Sequence, residues 1–108
     1  MITYTGIRTK HARSVVVCTP DGPHNLRHYN RHSPDGFEWG HGGSGPSDLA
    51  LSIMIDYFTR QGIGFVMTSA NLHYQDFKWA FIQPILEDGW SITEDQIKEW
   101  IKKREELS

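Results

Sequence analysis

Pro46-Ser47-Asp48-Leu49-Ala50-Leu51-Ser52-Ile53-Met54-Ile55-Asp56-Tyr57-Phe58 is where the chain changes period. Ala50, Leu51, Met54, Ile55 and Phe58 recur at i, i+1, i+4, i+5 and i+8, the spacing of one broad apolar helix face. Leu49, Ile53 and Tyr57 widen that face, so the helix is expected to be central and mostly buried. It runs to about Gln61, where Gly62 and Gly64 end it, glycine being the usual residue just past a helix.

Upstream the period is that of strands. Ile2 to Arg8 is rich in β-branched and aromatic residues, and Ser14 to Thr19 centres on Val15-Val16-Val17-Cys18 before the turn signal Pro20-Asp21-Gly22-Pro23. His24 to Tyr29 alternates as an edge strand does, which gives a three-stranded meander over residues 2–30. Downstream, Tyr74, Phe77, Ala80 and Phe81 mark a second helix, and Pro84 stops or kinks it. Asp88-Gly89 is a turn. Thr93 and Gln96 then form a capping box, with Ile92 and Ile97 placed as a hydrophobic staple, and Ile97, Trp100 and Ile101 dock the third helix. Glu94–Lys98 and Glu99–Lys103 are spaced as i, i+4 pairs on a solvated face. The expected fold is α+β: a small antiparallel N-terminal sheet of about three strands packed against three α-helices, in one domain over residues 1–108.

Composition agrees with that scale. The 108 residues are 38% hydrophobic, 12% aromatic and 22% charged, the balance of a soluble domain able to form a core without metal or disulfide. The longest apolar stretch, Leu49 to Ile55, is far short of the roughly twenty residues that span a bilayer, and no leader-like segment opens the chain, so no membrane role is expected. The single Cys18 has no internal disulfide partner and fits a reducing, cytoplasmic compartment. Residues 1–45 hold five Arg and Lys against three Asp and Glu, with five of the six histidines, whereas residues 46–108 hold six basic and ten acidic side chains. An anion meets less resistance at the first half. A pI near 6.3 argues against long nucleic acid as partner.

Function is expected between these two regions. Gly40, Gly42, Gly43 and Gly45 fall within six residues and lead directly into Pro46, which suits a first helical position with Gly45 or Ser44 as cap. Amides at a helix N-terminus behind a glycine loop suit a phosphate, although the glycines would also serve a tight structural turn, and Asp48 could itself neutralise the helix end. The segment is neither a P-loop, lacking Gly-Lys-Ser/Thr, nor the dinucleotide fingerprint. Phe37 and Trp39 flank Glu38, so in an extended strand both rings share one face. That pair suits stacking on a base, with Glu38 accepting from a hydroxyl; both rings would equally serve a core. Arg27, Arg31, His32 and His41 add cationic or polar contacts, completing a candidate ligand set with Gly42, Gly43, Ser44, Gly45 and Asp48. For catalysis, His32 or His41 would act as acid or base, with Ser44 or Ser33 as nucleophile. His28 and His32 are four apart but lack a third ligand, so neither metal nor cofactor is expected.

The run His32-Ser33-Pro34-Asp35-Gly36-Phe37-Glu38-Trp39-Gly40, continuing through Gly42-Gly43-Ser44-Gly45-Pro46 to Leu49-Ala50-Leu51-Ser52-Ile53, resembles a small uncharacterised family of bacterial and phage proteins. Tyr4-Thr5-Gly6-Ile7-Arg8 and Gly89-Trp90-Ser91-Ile92, with Ile97 and Trp100, resemble that family's ends. The resemblance implies occurrence in mobile or viral genomes, where small proteins capture nucleotide signals of host defence. The expected function is therefore sequestration of a small phosphate-containing, nucleotide-like ligand by a homo-oligomer, since so short a chain has little concave surface of its own. A hydrolase acting on such a ligand and an inhibitor binding a host protein are the alternatives.

Overall fold

The computed structural model describes residues 1–107. Strands β1 (Thr3–Arg8), β2 (Arg13–Thr19) and β3 (Gly22–Asn25) form the expected meander. A fourth strand, β4 (Gly89–Thr93), pairs antiparallel with β1, giving the sheet order β3-β2-β1-β4. The sheet thus has four strands rather than three. Trp90-Ser91-Ile92 follows a turn and is too short to announce itself, and its partner β1 lies at the other end of the chain, with Thr5 opposite Ser91. The third strand is also shorter than its alternation suggested, because Leu26 turns inward to the core.

Tyr4, Val15, Val17 and Ile92 carry the buried face of the sheet and pack into one cluster with α1 (Ser44–Arg60). Thirteen of the helix's residues are buried, as its unusually wide apolar face requires. α2 spans Val66–Phe77, starting earlier than the aromatic spacing indicated. Its buried stripe is Ala70, His73, Tyr74 and Phe77, at i, i+3, i+4 and i+7, and two of those four are too small or too polar to register as apolar signal. The chain continues as one π-helical turn, Lys78–Ile82, before Pro84. α3 (Glu94–Leu107) begins with the capping box intact: the Thr93 amide donates to Gln96 Oε1 at 2.8 Å and the Gln96 amide to Thr93 Oγ1 at 3.1 Å. Neither i, i+4 ion pair expected on α3 forms; Glu94 instead accepts from Gln61. No described helix is long and apolar enough to cross a membrane.

Candidate functional site

Asp48 is fully buried on α1 and faces the segment that precedes the glycine loop. Its carboxylate accepts from His28 Nε2 at 2.8 Å and from the backbone amides of Arg31, His32 and Ser33, the closest at 2.8 Å. Ser52, one turn on, accepts from the Tyr29 amide at 3.0 Å. These contacts fold residues 28–33 back along α1. Burial works against the Asp48 anion, but the His28 hydrogen bond and the three amides hold its carboxyl below the ordinary aspartate value. Its acceptor sites are thus occupied by the protein, so Asp48 builds the loop and does not neutralise the helix end.

The start of α1 is therefore left without an acid. Gly43 is its N-cap, with no side-chain cap and no acidic residue in the first turn. The amide of Ser44, exposed at the surface, has no carbonyl one turn back to receive it. The π-helical turn after α2 delivers Lys78 to the same place. Lys78 is buried, its Nζ donating to the Gly42 carbonyl at 3.1 Å and to Ser47 Oγ at 3.2 Å, and no carboxylate among the described residues pairs with it. A helix N-terminus already carries the positive end of the dipole, so ammonium and dipole reinforce each other. The next residue, Trp79, is largely exposed and lies against Gly42, where a Cβ would come within 2.4 Å of its ring. Lys78 Nζ is 4.7 Å from that ring's centroid. His41 completes the rim: its Nδ1 accepts from the Gly43 amide at 3.1 Å, which leaves the proton on Nε2 in the neutral ring.

The other residues singled out in the sequence are divided among several places. Phe37, Glu38, His41 and Gly45 line a cleft of about 190 Å³ together with Arg13 and Ser33. Glu38 is clamped there by Arg8 and Arg13; burial raises its pKa, but the Arg8 bond, the Trp39 amide and both guanidinium charges hold it below the ordinary value. Trp39 points the opposite way and is 1% exposed, its indole N–H donating to the Glu87 carbonyl at 2.9 Å and its ring edge-on to Trp90. It is a core residue and has no face to offer a base. Phe37 keeps some exposure and packs on the His28 ring. Arg31 lines a separate cleft with Tyr29 and Met67 and bonds Asn71, while Arg27 stacks on Tyr29. The two arginines and the glycine-loop cleft are not brought together. His32 hydrogen-bonds the Tyr74 hydroxyl at 3.0 Å, and neither His32 nor His41 bonds Ser33 or Ser44. Among the described residues no cluster of His, Cys, Asp or Glu could hold a metal ion.

Lys78, Trp79 and Arg13 join the candidate site without having been singled out in the sequence. The one local signal was Lys78 interrupting the otherwise apolar run Phe77 to Ile82, and only the π turn shows which way it and Trp79 point.

Fold and site together define a small α+β domain in which a buried lysine closes the glycine loop at the head of the central helix. The chain belongs to a family of unknown function, DUF6166, whose model matches residues 4–103. No curated protein and no solved structure matches it.

Proposed function

We propose that the protein binds and sequesters a small phosphate-containing ligand, a nucleotide-derived signal, at the first turn of α1. The observation that carries this reading is Lys78: a buried ammonium that no carboxylate among the described residues pairs with, placed where the helix dipole is also positive. Burying a charge is unfavourable unless it is paired, and an anion is the group this site lacks. Ser44 supplies its amide and hydroxyl, His41 an Nε2–H donor, and the exposed Trp79 ring a surface for a base. The cleft of about 190 Å³ beside His41 and Gly45 is small for a nucleotide, which favours sites completed by a second subunit of a homo-oligomer. Occurrence in bacteria and their phages, and a role in counter-defence within the host cytoplasm, extend the same reading.

Capture is favoured over hydrolysis by the hydrogen bonding of the two candidate bases. His41 uses Nδ1 to accept a backbone amide and His32 is tied to Tyr74, so neither histidine is hydrogen-bonded to Ser33 or Ser44 as a base would be. The test is to load the protein with a bacterial nucleotide extract, denature it and analyse what is released. An intact phosphate-bearing compound is the expected result; a cleaved product would move the function to hydrolysis, and an empty protein would overturn ligand binding.

A further inference from the structure

On the far side of the π turn, Phe81 and Trp100 form the floor of a groove of about 490 Å³ bordered by Asp95, Gln96, Glu99 and Lys103. The two rings meet edge to face, with centroids 5.7 Å apart and planes at 87°, and both are half-buried. Asp95 and Glu99 are one helical turn apart on the same face of α3. Neither carboxylate forms an ion pair or side-chain hydrogen bond among the described residues, and Lys103 is likewise unpaired. Two like charges at that spacing destabilise each other, and a cation between them reverses the sign.

We propose that this groove docks an arginine side chain of a partner protein. The aromatic floor attracts a cation and covers its aliphatic stem, and the two carboxylates match the fork of a guanidinium better than the point charge of an ammonium. Trp100 already accepts such a partner within the chain, since the Arg104 guanidinium lies 4.7 Å from its ring centroid. Lys103, at the opposite end from Asp95, rejects a second cation and sets the direction of the docked segment by favouring an acidic neighbour. Charge complementarity therefore selects an arginine-bearing segment over a purely apolar one. This surface is independent of the Lys78 site.

The test is a heteronuclear NMR titration of the full chain with a blocked, glycine-flanked arginine peptide, beside a peptide carrying neutral citrulline instead. The expected result is a dose-dependent shift of the Trp100 indole N–H and of amides 95–103, with the citrulline peptide weaker by about tenfold or more. D95N/E99Q should abolish the response while its thermal midpoint moves by only a few degrees, since both side chains are exposed. Absence of shifts at millimolar peptide, equal shifts with citrulline, or shifts retained in D95N/E99Q would each overturn the proposal. So would shifts of these amides that follow protein concentration without peptide, because the occupant would then be a second copy of the chain.

Discussion

Lys78 donates from Nζ to the Gly42 carbonyl at 3.1 Å, so a buried ammonium closes the glycine loop against the head of the central helix. The contact is structural and electrostatic at once. Replacing Lys78 with Met keeps the stem and removes an unpaired buried charge, which offsets part of the loss of its hydrogen bonds to the Gly42 carbonyl and Ser47 Oγ. The expected loss without ligand is about 1–2 kcal/mol. Millimolar phosphate should raise the melting temperature of the wild type and leave K78M unmoved, because an ion that binds only the native state stabilises it by mass action. Equal stabilisation of both would place phosphate elsewhere.

Asp48 gives a second, opposite kind of prediction. Its carboxylate anchors His28 and the amides of Arg31, His32 and Ser33, and its pKa is depressed by those donors despite burial. A group whose folded pKa lies below its unfolded value contributes stability above the unfolded value, and that contribution is lost as pH falls through the folded one. Denaturant titrations should therefore show stability dropping as pH falls below about 3.8. Asp48→Asn should cost about 2–4 kcal/mol at neutral pH, with less of this acid dependence remaining.

His73 acts in a milder range. It is 8% exposed between the rings of Phe58 and Trp100; burial lowers its pKa, the Arg104 charge lowers it further, and Glu105 and Asp76 oppose the shift. The unfolded chain then takes up a proton near pH 6.5 while the folded chain does not, so stability declines as pH falls below that point. In His73→Phe the decline over this interval should be shallower, measured by thermal melts at stepped pH. An unchanged slope would assign the decline to other groups.

Two glycines should respond differently to the same substitution. Gly40 has φ +87° and a Cβ there would meet the Ile85 carbonyl at 2.8 Å, so Gly40→Ala faces both backbone strain and a clash with main chain. A loss of about 2 kcal/mol or more is expected by chemical denaturation. Gly42→Ala meets only the exposed Trp79 ring, which can swing away. Its stability loss should stay below about 1 kcal/mol, with a shift in tryptophan emission that Trp79→Phe removes.

Features encoded locally were readable in the sequence, and those encoded by long-range pairing were not. The Thr93–Gln96 capping box and the broad apolar face of α1 lie within one or two helical turns, so residue spacing alone reports them. β4 escaped because its identity rests on pairing Ser91 with Thr5 across nearly the whole chain. At the candidate site the glycine loop and its junction with α1 were legible, but the direction of each side chain was not. Phe37 and Trp39 were expected to share one face with Glu38 on the other, yet Phe37 and Glu38 line the same cleft while Trp39 turns to the core, and Asp48 turns to the 31–33 amides. Lys78 was hidden because its position depends on a π turn, which has no simple sequence period.

The most direct test of the anion site is native mass spectrometry of wild type and K78M side by side, each purified from bacterial cytoplasm and then incubated with a nucleotide extract. The wild type should carry a discrete mass increment, released by heat as an intact phosphate-bearing compound, with one ligand per site in an oligomer, and K78M should be bare at the same concentration. Equal loading of both proteins, or no increment on either, would contradict the account.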